Sequence, residues 1–117
     1  MRSQKIQQRA AKLGFDWQNV RQVMDKVAEE LAEVSQAVAA DDADAVAEEI
    51  GDLIFAVVNL ARFTRNDAES LARAANDKFL RRFAYIERGL AAQNRTVSGT
   101  ALEELEALWQ ESKSTEK

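Results

Sequence analysis

The 117-residue chain contains no cysteine, no histidine and no proline. The missing cysteine excludes disulfides, thiolate metal sites and cysteine nucleophiles together. The missing histidine removes the commonest general base and the commonest transition-metal ligand. Catalysis by this chain therefore has to run on carboxylates, hydroxyls, Lys, Arg or a bound metal. Glycine is scarce too, and none of Gly14, Gly51, Gly89 and Gly99 opens a G-x-x-x-x-G-K-[ST] run. There is no P-loop, so any phosphate binding must be led by metal. No apolar run approaches the length of a membrane span. The start, Met1-Arg2-Ser3-Gln4-Lys5, lacks the apolar stretch of a signal peptide, so a cytoplasmic location is the expectation. The net charge of −4 argues against nucleic-acid or acidic-membrane partners. It leaves phosphate-bearing small molecules open where metal and a few cations supply positive charge.

What is present reads as an all-α chain, with abundant alanine and 46% hydrophobic residues. The length predicts a single domain over 1–117. A first short helix is predicted from about Ser3 to Leu13, ended by Gly14. Asp16 is the predicted N-cap of a second helix, with Phe15 stapling onto Val20. Val20, Val23, Val27, Leu31, Val34 and Val38 then recur at spacings of three and four, the mark of one buried stripe. Asp41-Asp42-Ala43-Asp44 reads as a turn that caps a third helix carrying Val46, Ile50, Leu53, Val57 and Leu60. Between Leu53 and Ala61 that helix is apolar nearly all round, which predicts burial in a bundle core or a subunit interface. Asn66 and Glu69 mark a fourth helix with Ala75, Phe79, Phe83, Ile86 and Leu90 on its core side. Thr100-Ala101-Leu102-Glu103 reads as a capping box opening a fifth. Short connections predict an antiparallel bundle of about five helices. The long second helix and the apolar run predict assembly as a dimer or a dimer of dimers.

Two acidic clusters stand out, Glu29-Glu30-Leu31-Ala32-Glu33 and Glu48-Glu49-Ile50-Gly51-Asp52. At 100° per residue, Glu30 and Glu33 fall roughly 65° and 125° to one side of the stripe on helix two. Glu49 and Asp52 fall roughly 75° and 135° from theirs, on the same hand. Two packed helices would thus gather four carboxylates, and each raises the cost of ionising the others unless a cation is present. Oxygen-only ligands favour Mg²⁺, with Mn²⁺ as substitute. Solvated surface charge is the competing reading, since an E-x-x-E on a helix commonly decorates a surface. Gly51, costly in a helix interior, suggests close approach of a helix or a ligand, or chance. On helix four, Lys78 and Arg82 are i,i+4 neighbours. They read as a clamp for phosphate oxygens or as a solvated basic strip. Trp109 and Lys113, similarly spaced, offer an aromatic face with a cation beside it, on which a base could stack.

Several segments carry a family resemblance in the right order. They are Leu13-Gly14-Phe15-Asp16-Trp17, Lys26-Val27-Ala28-Glu29-Glu30-Leu31-Ala32-Glu33 and Glu48-Glu49-Ile50-Gly51-Asp52-Leu53-Ile54-Phe55-Ala56. Val58-Asn59-Leu60-Ala61-Arg62 and Asn76-Asp77-Lys78-Phe79-Leu80-Arg81-Arg82-Phe83 complete them. Together they resemble the all-α nucleoside triphosphate pyrophosphohydrolases, and more closely the MazG family, specifically its C-terminal catalytic domain. The resemblance runs from about residue 2 to Lys113. It implies Mg-dependent hydrolysis of a nucleoside triphosphate to the monophosphate and pyrophosphate. It also implies Glu30, Glu33, Glu49 and Asp52 as metal ligands and catalytic carboxylates. Nucleotide contacts are implied for Lys26, Glu29, Glu48, Lys78, Arg82, Trp109 and Lys113. Ala45 departs from the pattern, standing where some relatives carry a lysine toward the triphosphate. Family members often carry tandem copies, and the first seven residues resemble the joining segment. The resemblance thus implies either an excised half or a natural single-domain version. Competing readings are a phosphoribosyl-ATP or dUTP/dCTP-type enzyme and a non-catalytic helical oligomerisation module. A ferritin-like di-iron bundle fails for want of histidine.

Overall fold

The computed structural model describes residues 1–115. Its elements are α1 (Arg2–Lys12), α2 (Val20–Ala39), α3 (Ala43–Phe63), α4 (Ala68–Ala91), a 3₁₀ turn (Val97–Gly99) and α5 (Leu102–Thr115). No strand occurs among the described residues, as the sequence predicts. No helix there is long and apolar enough to cross a membrane. The chain divides into two compact units, one spanning Met1–Leu71 and the other beginning at Ala72.

In the first unit α2 and α3 form a helical hairpin, and α1 lies against α3. Two buried glutamines dock α1. Gln4 donates to the carbonyl of Asn66 at 2.8 Å and accepts from the backbone N–H of Ala68 at 2.7 Å. Gln7 donates to the carbonyl of Phe55 at 2.9 Å. A periodicity argument built on apolar residues passes over such contacts, because α1 is held by amides. The two glutamines satisfy backbone groups at an inter-helix junction, where leaving them unpaired would be costly.

The helix starts differ from the sequence expectation in three places. α2 begins at Val20 with Asn19 as N-cap, its side chain accepting from the N–H of Gln22 at 3.0 Å. Gln22 in turn accepts from the N–H of Gln18 at 2.8 Å. Asp16 is not the cap because Arg62 on α3 claims its carboxylate, and Phe15 forms no staple, being 84% exposed. The α4 cap sits one residue beyond Asn66, where Asp67 accepts from the N–H of Ser70 at 3.0 Å. At α5 the expected capping box does not form. Thr100 donates its hydroxyl to the carbonyl of Thr96 instead, at the end of the 3₁₀ turn. Asp42 caps α3 as expected, accepting from the N–H of Ala45 at 3.1 Å.

The C-termini of α1 to α4 share one device. Gly14, Asp41, Arg65 and Asn94 each adopt positive φ, of 99°, 54°, 65° and 56°. The N–H of the next residue reaches back five positions, as from Phe15 to Ala10, Asp42 to Ala37, Asn66 to Ala61 and Arg95 to Leu90. This is the Schellman arrangement, which satisfies the carbonyls orphaned at a helix end.

The buried seam of α2 is Val23, Glu30 and Ala37. It is rotated from the predicted stripe, so Leu31 and Val38 lie more than half exposed. On α3, Ile54 and Val57 are likewise exposed, while Ala56, Val58 and Ala61 are buried. Large apolar residues of both hairpin helices thus remain exposed. In the second unit Ile86 and Leu90 are buried, whereas Ala75 and Phe79, predicted as core, are exposed. The ring of Phe79 stacks on Phe83 with centroids 5.8 Å apart and lies 5.5 Å from that of Trp109.

Candidate metal centre

Rotation of the α2 seam toward Glu30 has a chemical consequence. Glu30 is 6% exposed, among the most buried residues of its helix, and no apolar position could explain a carboxylate there. From α3, Glu49 and Asp52 point at the same spot, so that one oxygen of each of the three residues lies within 4.8 Å of the others. One oxygen each of Glu30 and Glu49 is buried without any hydrogen-bond partner. Buried carboxylate oxygens left unpaired cost several kcal/mol in order of magnitude. Oxygens bound at about 2.1 Å to one octahedral ion lie roughly 3–4 Å from each other. The spacing and the all-oxygen chemistry of the set fit a hard divalent cation.

Charge balance within the site is uneven. Lys26, one turn before Glu30, places its Nζ 3.0 Å from Glu30 and 3.6 Å from Glu29. That ammonium holds the Glu30 carboxyl below its usual range, and Glu30 in return raises the Lys26 pKa. Glu33 faces the opposite situation. The hydrogen-bonded Glu30 carboxylate, with Glu49 beside it, pushes the Glu33 carboxyl up to about 7. Like charges gathered without a cation retain a proton near neutrality. Glu29 and Glu48 are exposed at the rim.

A family model for the MazG nucleotide pyrophosphohydrolase domain matches residues 18–85, more than half of the chain. The chain belongs to this family. It is 48% identical over 120 residues to the nucleoside triphosphate pyrophosphohydrolase of Escherichia coli K12, covering 99% of this chain and 45% of that protein. It is 36% identical over 111 residues to the nucleoside triphosphate pyrophosphohydrolase/pyrophosphatase MazG of Thermotoga maritima, with 95% and 42% covered. An uncharacterized Bacillus subtilis protein, YabN, is 42% identical over 69 residues, which is 59% of this chain and 14% of that one. The chain thus spans less than half the length of these curated relatives.

In this MazG domain a cavity of about 590 Å³ opens beside the carboxylates, with Lys26, Glu30 and Asp52 in its wall. Phe15, Trp17 and Phe55 supply aromatic surface, and Gln7, Asn59 and the Asp16–Arg62 pair supply polar groups. Arg62 grips Asp16 with two contacts, at 2.6 and 3.2 Å, and Asn59 with two more, at 2.7 and 2.9 Å. The guanidinium ties the 13–19 segment onto α3. Neither the cavity nor this clamp is visible in helical periodicity. The conjunction of a G-F-D-W segment with a distant N-x-x-R is the signal that hints at it.

The other sequence-predicted contacts lie in the second unit. The guanidinium of Arg82 sits 5.4 Å from the Trp109 ring centroid, a cation–π distance. Lys78 and Lys113 are exposed. Gly51 is not explained by close packing, since a Cβ built there meets nothing within 4 Å.

Proposed function

We propose that this chain hydrolyses a nucleoside triphosphate between its α- and β-phosphates, releasing the monophosphate and pyrophosphate. One observation carries the reading: three carboxylates converge within 4.8 Å, two of them with buried oxygens that nothing in the fold satisfies. Membership of the MazG family and the activity for which the Escherichia coli and Thermotoga relatives are named support it. Glu30, Glu33, Glu49 and Asp52 hold Mg²⁺, for which Mn²⁺ can substitute. Bound there, the ion supplies positive charge to phosphate oxygens and acidifies water.

The chain's own residues contribute the rest. Lys26 engages one oxygen of Glu30 and leaves the other for the metal. Lys26, Glu29 and Glu48 border the approach of the triphosphate. A water oxygen bonds to the α-phosphorus as the bond from that phosphorus to the bridging oxygen breaks. Pyrophosphate leaves with the electron pair of that bond, and a carboxylate of the cluster takes the proton of the water. For Lys78, Arg82, Trp109 and Lys113 the reading rests on the family resemblance, with cations for phosphate oxygens and an aromatic ring beside them. The exposed apolar residues of α2 and α3 support assembly into a homodimer or homotetramer, because such residues gathered on two paired helices suit an interaction face.

The test is product identification over a panel of nucleoside triphosphates with Mg²⁺. Monophosphate and pyrophosphate are the expected products. Diphosphate and orthophosphate, or no hydrolysis of any triphosphate, would remove the proposal.

A further inference from the structure

Lys26 and Glu30 stand four residues apart on α2, a spacing that brings their side chains together. The Lys26 Nζ lies 3.0 Å from Oε1 of Glu30, while Oε2 of the same carboxylate is buried with no hydrogen-bond partner. The two oxygens of Glu30 are therefore unequal: one faces an ammonium and the other is bare. The Glu30 side chain is only 8% exposed, so water does little to even them out. Lys26 is also 3.6 Å from Glu29 at the rim, which holds the ammonium from a second side. Glu49 presents a bare buried oxygen of its own from α3. One oxygen each of Glu30, Glu49 and Asp52 lies within 4.8 Å of the others.

We propose that Lys26 sets the metal selectivity of this nest, restricting Glu30 to ligation through one oxygen and so disfavouring Ca²⁺ against Mg²⁺ and Mn²⁺. The proposal rests on the metal reading of the four carboxylates. Mg²⁺ takes six oxygens in a tight octahedron at about 2.0–2.1 Å. Ca²⁺ takes six to eight at about 2.3–2.6 Å, and fills its larger shell by chelating carboxylates with both oxygens. Chelation by Glu30 would bring a divalent ion onto the oxygen that already faces the ammonium. Two cations sharing one half-buried oxygen repel strongly, and the alternative is to give up the Lys26–Glu30 pair. An ion held through the bare oxygen alone stays on the far side of the carboxylate. Lys26 thus penalises the chelating ion and spares the octahedral one. A contact from Lys26 to the triphosphate alone would leave the ion preference of the nucleotide-free chain untouched.

The test is calorimetric titration of Mg²⁺, Mn²⁺ and Ca²⁺ into the metal-free chain without nucleotide. The quantity read is the ratio of the Ca²⁺ to the Mg²⁺ dissociation constant. Both ions are divalent, so a simple loss of positive charge cancels in that ratio, as does a general loosening of the site. Lys26→Met should lower the ratio by about tenfold or more, the size of effect typical of groups that support a metal ligand. Lys26→Arg keeps a cation and should retain the ratio. Lys26→Gln is neutral but keeps an N–H for Glu30, and it decides the matter if Lys26→Met fails to fold by circular dichroism. An unchanged ratio in the folded neutral variants would overturn the proposal, as would a ratio in Lys26→Arg as low as theirs.

Infrared difference spectra give a second readout, because the antisymmetric carboxylate stretch separates one-oxygen from two-oxygen ligation. With saturating Ca²⁺ the two-oxygen band should be stronger in Lys26→Met or Lys26→Gln than in the unaltered chain. Equal bands would overturn the proposal. Failure of the unaltered chain to bind any of the three ions would be a different result, since it removes the metal reading itself and this proposal with it. Binding with an unaltered preference leaves the metal reading standing and removes only the role of Lys26.

Discussion

Replacing Asp16 by Asn removes one charge and leaves the side-chain shape nearly unchanged, so it isolates the clamp between the 13–19 segment and α3. Arg62 keeps its two bonds to Asn59 but loses the anionic partner at 2.6 and 3.2 Å. The Arg62 side chain is 12% exposed and that of Asp16 29%. Exposed ion pairs contribute about 0.2–1 kcal/mol and breaking a buried one costs about 3–5 kcal/mol. This half-buried, two-contact pair should fall between, at about 1–2 kcal/mol. For a chain of this length that corresponds to a fall in Tm of roughly 4–8 °C. The pH dependence gives a second check. Arg62 holds the Asp16 carboxyl below its ordinary value of 3.8. Its stabilisation is therefore present above that value and is lost as pH falls through the depressed pKa. Melts of the two proteins should differ at pH 7 and converge as the solution is acidified through the depressed pKa of Asp16. Equal Tm at pH 7, or a gap unchanged by acid, would refute the reasoning. Because Phe15 and Trp17 flank Asp16 in the cavity wall, KM should also rise more than kcat falls.

Further outcomes follow from the same geometry. Gln4→Ala strips partners from the Asn66 carbonyl and the Ala68 N–H at a buried junction, and should cost about 2–4 kcal/mol by urea denaturation; a cost below 1 kcal/mol would show that water replaces the amide. Arg65→Gly should stabilise by up to about 1 kcal/mol, because φ of 65° strains a side-chain-bearing residue, and a lower urea midpoint would contradict this. Glu33, pushed up to about 7, binds more protons folded than unfolded between its ordinary value of 4.5 and about 7. Metal-free protein should thus lose stability as pH rises through that window. Glu33→Gln should flatten the loss in melts recorded with EDTA, and an unchanged slope would contradict the cluster as drawn.

How much of this the residues announce depends on the kind of contact. Helix number and type were legible because the three- and four-residue spacing of Val and Leu admits no strand reading. The acidic pairs were legible as matching flanks, and the structure does bring Glu30, Glu49 and Asp52 together with Glu33 facing them. Helix starts were less legible, since several residues can serve as a cap and a distant partner decides among them. Arg62 took Asp16 from α2, and Thr96 took Thr100 from α5. The docking of α1 through Gln4 and Gln7 was invisible, because amides leave no apolar period. The cavity depends on the fold bringing α1, the 13–19 segment, α2 and α3 together, and no local pattern encodes that.

The most direct test of the carboxylate nest is calorimetric titration of Mg²⁺ and Mn²⁺ into the metal-free chain and into Glu49→Gln. Saturable binding by the unaltered chain, accompanied by a rise in Tm from linkage, and its loss in the variant with helical content retained, is the result the account predicts. No binding by the unaltered chain, or equal affinity in both proteins, would contradict it.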